Sequence, residues 1–308
     1  MSQTKTNPLS NQNPDYTQPL LQSVLVPSDF SAGSLTAFQH ALKAALVAKS
    51  RLNILHLSPG VAESWTDFAG VGETLERWGL LPPGSPKWAI PELGIDVRHV
   101  IAREGNPVKS VLRHLATEPA DLIVIATHSY PDRVTWLRQT VTEPIARRSG
   151  QMTLLLPDAA AGFVSPRDGS VSLGRILIPI AAQPSPQPAL AAAARLAVRL
   201  RRPQGTFVLL HVDGPDTMPA VQCPEVSGWQ WKKVTRTGDV IDGIVDAAEK
   251  EEADLIVMAT DGRNGFLDAL RGSHSERVLR KARWPLLTIP VGSLAEGATS
   301  HEKLVKAN

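Results

Sequence analysis

The chain has 308 residues, 43% of them apolar and 20% charged, a size and balance that suit a globular protein of two domains rather than one small unit. Its 32 basic and 30 acidic residues leave a net charge of +2, so composition gives no reason to expect nucleic acid or a membrane surface as partner. The single cysteine, Cys223, excludes an internal disulfide and a paired-cysteine zinc site, and no apolar run approaches the ~20 residues of a membrane span.

Residues 1–20 are dominated by Asn, Gln, Ser and Pro and read as a disordered arm. They lack the apolar core of a signal peptide, so a cytoplasmic location is expected. Order is predicted to begin with the strand Val24-Leu25-Val26-Pro27, followed by Ser28-Asp29-Phe30. Leu35, Phe38, Leu42, Ala45 and Leu46 then form one helical stripe, and Leu52 to Leu57 return as a strand. An insert follows, with Trp65, Phe68, Leu75 and Trp78 at roughly helical spacing; it reads either as a lid over its own core or as a partner surface. Regular patterning resumes with the strand Val97 to Ile101, a Gly105-Asn106-Pro107 turn, a helix bearing Val108, Val111, Leu112 and Leu115, and the strand Leu122 to Ala126. A helix from about Thr140 and the strand Met152 to Leu156 complete the half.

The same plan then recurs. Gly105 and Gly238, Asp121 and Asp254, Glu143 and Glu276, and Pro157 and Pro290 are each 133 positions apart (238 − 105 = 133). Pro27 and Pro179 are 152 apart, and His56 and His211 155 apart, so the first half carries additional residues after its second strand. The predicted organisation is a first domain over 21–158, a linker rich in Gly, Ser, Pro and Ala over 159–174, a second domain over 175–293 and a flexible tail over 294–308. Alternating strands and helices predict an α/β fold, with two repeated Rossmann-like domains, each a mostly parallel five-stranded sheet flanked by helices. In the second half, the strand Leu255 to Ala259 leads to Gly262, then Gly272-Ser273. Ser273 and Glu276 have the spacing of a helix capping box.

Several stretches together resemble the universal stress proteins in their tandem two-domain form. They are Pro27, Asp29, Phe30 and Ser31 at the end of the first strand; Leu55-His56-Leu57 and Leu210-His211-Val212 at the ends of the second; and Ala120 to Thr127 and Ala253 to Thr260. The resemblance implies a fold like the adenine nucleotide alpha hydrolases and, in the ATP-binding branch, a pattern G-x2-G-x9-G-[ST] after the fourth strand. Gly262, Gly272 and Ser273 match its last three positions, while Ala259 stands at the first. In the first half, Ala126, Ser129, Gln139 and Thr140 occupy the four positions. The aspartate that by resemblance faces the adenine is Asp29 in the first half and Ala181 in the second. The resemblance implies a residual ATP or ADP site in the second half, built from Pro179, Val212, Ala259, Gly262, Arg263, Gly272, Ser273 and His274, with Mg²⁺ carried by the nucleotide. Asp29 is the first half's separate candidate. It further implies that the last strands of the two halves pair as an internal pseudo-dimer, with association of two chains left open.

Plainer readings stand beside these. Gly262 and Gly272 serve equally as loop punctuation, Ser273 as a helix cap, and Asp29 as a cap of the helix after it. His56 and His211 read as satisfied core histidines, Cys223 as a structural or surface thiol, and the basic cluster of Arg277, Arg280, Lys281 and Arg283 as a solvated helix face. No G-x-x-x-x-G-K-[ST], G-x-S-x-G or H-E-x-x-H stretch is present, so no enzymatic activity is expected. Two functions follow: a nucleotide-responsive stress regulator acting on an unidentified protein partner, or an adaptor that binds no nucleotide.

Overall fold

The computed structural model describes residues 21–28, 32–57, 70–102, 106–127, 139–157, 160, 162–260 and 283–291. The first half contributes β1 (Ser23–Ser28), α1 (Ala32–Ala48), β2 (Arg51–Leu57), α2 (Val71–Arg77), β3 (Asp96–Ala102), α3 (Pro107–Thr117), β4 (Leu122–Thr127), α4 (Gln139–Ser149) and β5 (Met152–Pro157). The second contributes β6 (Arg175–Pro179), α5 (Gln187–Arg199), β7 (Gly205–Val212), β8 (Trp229–Arg236), α6 (Val240–Lys250), β9 (Leu255–Thr260) and β10 (Leu286–Pro290).

The ten strands of the described residues form one sheet in the order β3-β2-β1-β4-β5-β10-β9-β6-β7-β8. Read outward from the middle, the two halves have the same strand order, and every pairing within a half is parallel. The two five-stranded sheets expected from the sequence are therefore halves of a continuous one. They join where β5 meets β10 antiparallel, with Leu154 opposite Leu287 and Thr153 opposite Thr288. There the Thr288 hydroxyl donates to the Thr153 carbonyl at 3.2 Å. This join covers two strand edges that would otherwise be open to pairing with other chains. The outer strands β3 and β8 carry Asp96, Arg98, Lys232 and Lys233, charges that discourage further strand addition.

The unbroken apolar runs of the inner strands are explained by helices on both faces. Val24 and Val26 pack under α1, whereas Leu25 packs with Val111 of α3 and Ile145 of α4. In the second half, Ile176 and Ile178 lie with Ala189 and Ala193 of α5, and Leu177 lies with Ile244 and Ala247 of α6. One core therefore runs beneath α1 and α5 across both halves, while the opposite face is divided in two.

The repeat extends to individual hydrogen bonds. Asp121, just before β4, accepts from Gln22 N at 2.6 Å and Ser23 N at 3.0 Å, fastening the start of β1. Its counterpart Asp254 accepts from Gly174 N at 2.7 Å and Arg175 N at 2.8 Å, fastening the start of β6. Asn106 caps α3 by accepting from Lys109 N, and Asp239 caps α6 by accepting from Ile241 N and Asp242 N.

The connector is more than a tether. Phe163, Val164 and Leu173 are buried in the shared core, and Val164 bridges Val171. His40 of α1 donates from Nδ1 to the Thr36 carbonyl at 2.8 Å, leaving Nε2 to accept from Phe163 N at 3.0 Å and Val164 N at 3.2 Å. Burial pushes this imidazole down to about 4, against an ordinary 6.5, so the neutral ring that the geometry requires is the one present. Gly162 has φ +70°, and a Cβ there would overlap the His40 ring. The insert meets the same connector: Arg77 Nε and Trp78 Nε1 donate to the Pro166 carbonyl at 3.0 and 3.4 Å. With Val71, Leu75 and Trp78 buried in the chain's own core, the described part of the insert acts as a lid on that core. Trp65 and Phe68 lie outside the described residues.

Candidate functional site

In the second half the chain runs from β6 to β7 and β8 on one side, then places β9 on the other side of β6. The sheet's connections therefore reverse direction between β6 and β9, and a crevice opens beyond the carboxyl ends of the strands at such a point. A cavity of about 130 Å³ lies there. Pro179 at the end of β6, Val212 at the end of β7 and Ala259 near the end of β9 all line it, so three of the residues expected from the sequence come together around one space. Ala181, Val240 and Met258 complete much of its apolar wall.

Ala259 pairs with Ile289 inside a regular ladder, so its backbone is extended. Its methyl group needs no left-handed φ, which removes the backbone objection to alanine at the position where the family pattern has glycine. Ala181, at the place equivalent to Asp29, is exposed and brings no carboxylate to the cavity. Among the described residues the one polar side chain in the lining is Gln183, which the sequence reading missed. Its position two residues beyond Ala181, among Pro184 and Pro186, was the available clue. An amide of this kind offers both donors and an acceptor.

The N-terminus of α6 borders the cavity through Val240, but it is not an open anion site. The Asp239 carboxylate already accepts from Ile241 N at 2.9 Å and Asp242 N at 3.0 Å. His211 is a structural residue, as expected: it is buried, and its ring nitrogens bond to Ile180 O at 3.0 Å and Thr217 Oγ1 at 2.9 Å. These contacts hold the chain at Ile180, in the cavity wall. Burial raises the Cys223 thiol, as fits an unreactive cysteine.

Asp29, Gly262, Arg263, Gly272, Ser273 and His274 lie outside the described residues, as does the capping box at Ser273 and Glu276. β9 ends at Thr260, so the chain enters the Gly262 to Ser273 stretch directly from the cavity's edge. Among the described residues, no cluster of His, Cys, Asp and Glu could hold a metal ion, and no helix is long and apolar enough to cross a membrane.

Comparison with known proteins gives a consistent picture. The model of the universal stress protein family matches residues 21–157 and 225–290. A stretch of 46 residues is 50% identical to a universal stress protein of Methanocaldococcus jannaschii, covering 15% of this chain and 27% of that relative's length. The fold resembles a universal stress protein from Archaeoglobus fulgidus (TM-score 0.54, 17% identity, covering 88% of this chain and 99% of the other). It also resembles a functionally unknown protein from Pseudomonas aeruginosa (TM-score 0.52, 15% identity, covering 90% and 95%).

Proposed function

Because the chain belongs to the universal stress protein family, we propose that it is a cytoplasmic, non-enzymatic stress-response regulator whose second half binds ATP or ADP, with Mg²⁺ arriving on the nucleotide. The observation that carries this reading is the apolar cavity bounded by Pro179, Val212 and Ala259, with the Gly262 to Ser273 stretch following from β9. The adenine ring would lie between these strand ends, and the Gln183 amide would meet its polar edge in place of the missing aspartate. Arg263, Gly272, Ser273 and His274 are the residues proposed for the phosphates. The nucleotide would alter the shape shown to a protein partner. Asp29 has no role in this second-half site.

Titration calorimetry of the whole chain with ATP, ADP and GTP in the presence of Mg²⁺ tests this. The expected result is saturable heat with the adenine nucleotides, lost when Val212→Trp fills the cavity. Silence with all three would instead favour an adaptor without nucleotide, a reading supported by the lack of a charged side chain among the described residues of the cavity wall.

A further inference from the structure

A second cavity, of about 110 Å³, lies where the two halves meet, in the gap between α1 and α5 above the β5–β10 join. Its walls come from both halves at equivalent positions. Lys43 and Arg195 correspond, as do Ala44 and Leu196 (195 − 43 = 152, the separation of Pro27 and Pro179). Leu154 and Leu287, which face each other across the join, correspond at the separation of 133. The cavity therefore sits on the axis relating the two copies, some distance along the sheet from the crevice at β6 and β9, and shares no lining residue with it.

The chemistry of the wall is lopsided. Apart from Lys43, Arg195 and Arg199, every lining residue among the described ones is apolar, and none of these is acidic. Lys43 is half-buried, and desolvation lowers its ammonium from the ordinary value, an effect opposed by the charge of Asp168 on the exposed connector. Its Nζ stands 6.0 Å from the centre of the Trp78 ring. An apolar space of this order holds a body about the size of a benzene ring. Cations partly withdrawn from water beside such a space favour an anionic group attached to that body.

We propose that this junction cavity binds a small carboxylate amphiphile, a short fatty or aromatic acid, with its apolar part between Ala44, Leu196, Leu154 and Leu287 and its carboxylate toward Lys43 and Arg195. Because α1, α5 and both joining strands line it, an occupant would hold the two halves together, independently of any nucleotide.

The test uses the full chain with octanoate, and 1-octanol as its uncharged counterpart, read by titration calorimetry and by thermal midpoint. One saturable octanoate per chain is expected, with 1-octanol bound at least about tenfold more weakly. The double variant Lys43→Gln/Arg195→Gln should bring octanoate down to the level of 1-octanol, and Ala44→Phe, by filling the space, should abolish both. Circular dichroism establishes that each variant is folded, and Leu196→Phe serves as a second filling variant should Ala44→Phe fail to fold. Absence of saturable octanoate binding, or equal affinity for octanoate and 1-octanol, would overturn the proposal. So would octanoate binding that survives the filling variants, or a crystal structure with residues 1–20 of the chain occupying the cavity.

Discussion

The two halves share their fastenings and differ at their strand ends. Asp121 and Asp254 hold the first strand of each half through paired backbone bonds, and Asn106 and Asp239 cap corresponding helices. At the positions of the family's nucleotide pattern, by contrast, the sequence of the first half has Asp29 where the second has Ala181, and Ser129, Gln139 and Thr140 where the second has Gly262, Gly272 and Ser273. The fold thus depends on a small set of backbone-directed polar groups that recur in both copies, while the residues at the pattern positions differ between halves that share one strand order. The first half also receives the connector, on His40 and, through the Pro166 carbonyl, on Arg77 and Trp78 of the insert, contacts with no counterpart among the second half's described residues.

That asymmetry should give the largest mutational effect. Gly162→Val places a branched side chain at φ +70° and against the His40 ring, so the connector must leave its seat. A loss of about 3 kcal/mol is expected in denaturant unfolding of the whole chain, combining strain with loss of the buried contacts of Phe163 and Val164. An effect below about 1 kcal/mol would mean that the connector contributes little to the fold.

A pH dependence of similar size should arise from His40. Its folded-state value of about 4 lies below the ordinary 6.5, so between these values the unfolded chain binds the additional proton. Stability is therefore expected to fall as pH drops from about 6.5 to about 4, by about 3 kcal/mol in all, and to lose no more from this group below that. Protonation would turn Nε2 from an acceptor into a donor facing the amides of Phe163 and Val164. His40→Gln should flatten the slope in that window; an unchanged slope would assign it to other groups.

The shared fastenings give smaller and matched effects. Asp121→Ala and Asp254→Ala each remove an acceptor from two backbone amides and should each cost about 2 kcal/mol. Costs differing by more than about 1 kcal/mol would break the equivalence of the halves at this point. Smaller still, Asn106→Ala and Asp239→Ala should each cost about 1 kcal/mol as lost helix caps, measured in the same way.

Much of this was legible before the structure, because the repeat is written in residues that act locally. The recurring Asp121 and Asp254 and the apolar runs of β4 and β9 set the strand order of one half once the other is known. The pairing of β5 with β10 was implied by the resemblance to the universal stress proteins rather than by the residues of the two strands. Harder to read was the connector. Its Gly, Ser and Pro content is that of a tether, and only Phe163, Val164 and Leu173 hinted at burial against a helix far away in sequence. β8 was implied by five strands in each half but not its packing: Trp229 and Trp231 stack on Phe207 of β7 with ring centres 4.4 and 4.3 Å apart. Gln183 escaped because its place in the cavity depends on the turn after β6, which sequence spacing does not determine.

The comparison of the halves is sharpest at the nucleotide site proposed for the second, and the stoichiometry of bound Mg²⁺-ATP tests that proposal directly. Equilibrium dialysis against the intact chain should find one nucleotide per chain, unaffected by Asp29→Ala, abolished by Ala259→Trp and strengthened by Ala181→Asp. Two nucleotides per chain, or one that survives Ala259→Trp and is lost with Asp29→Ala, would contradict it.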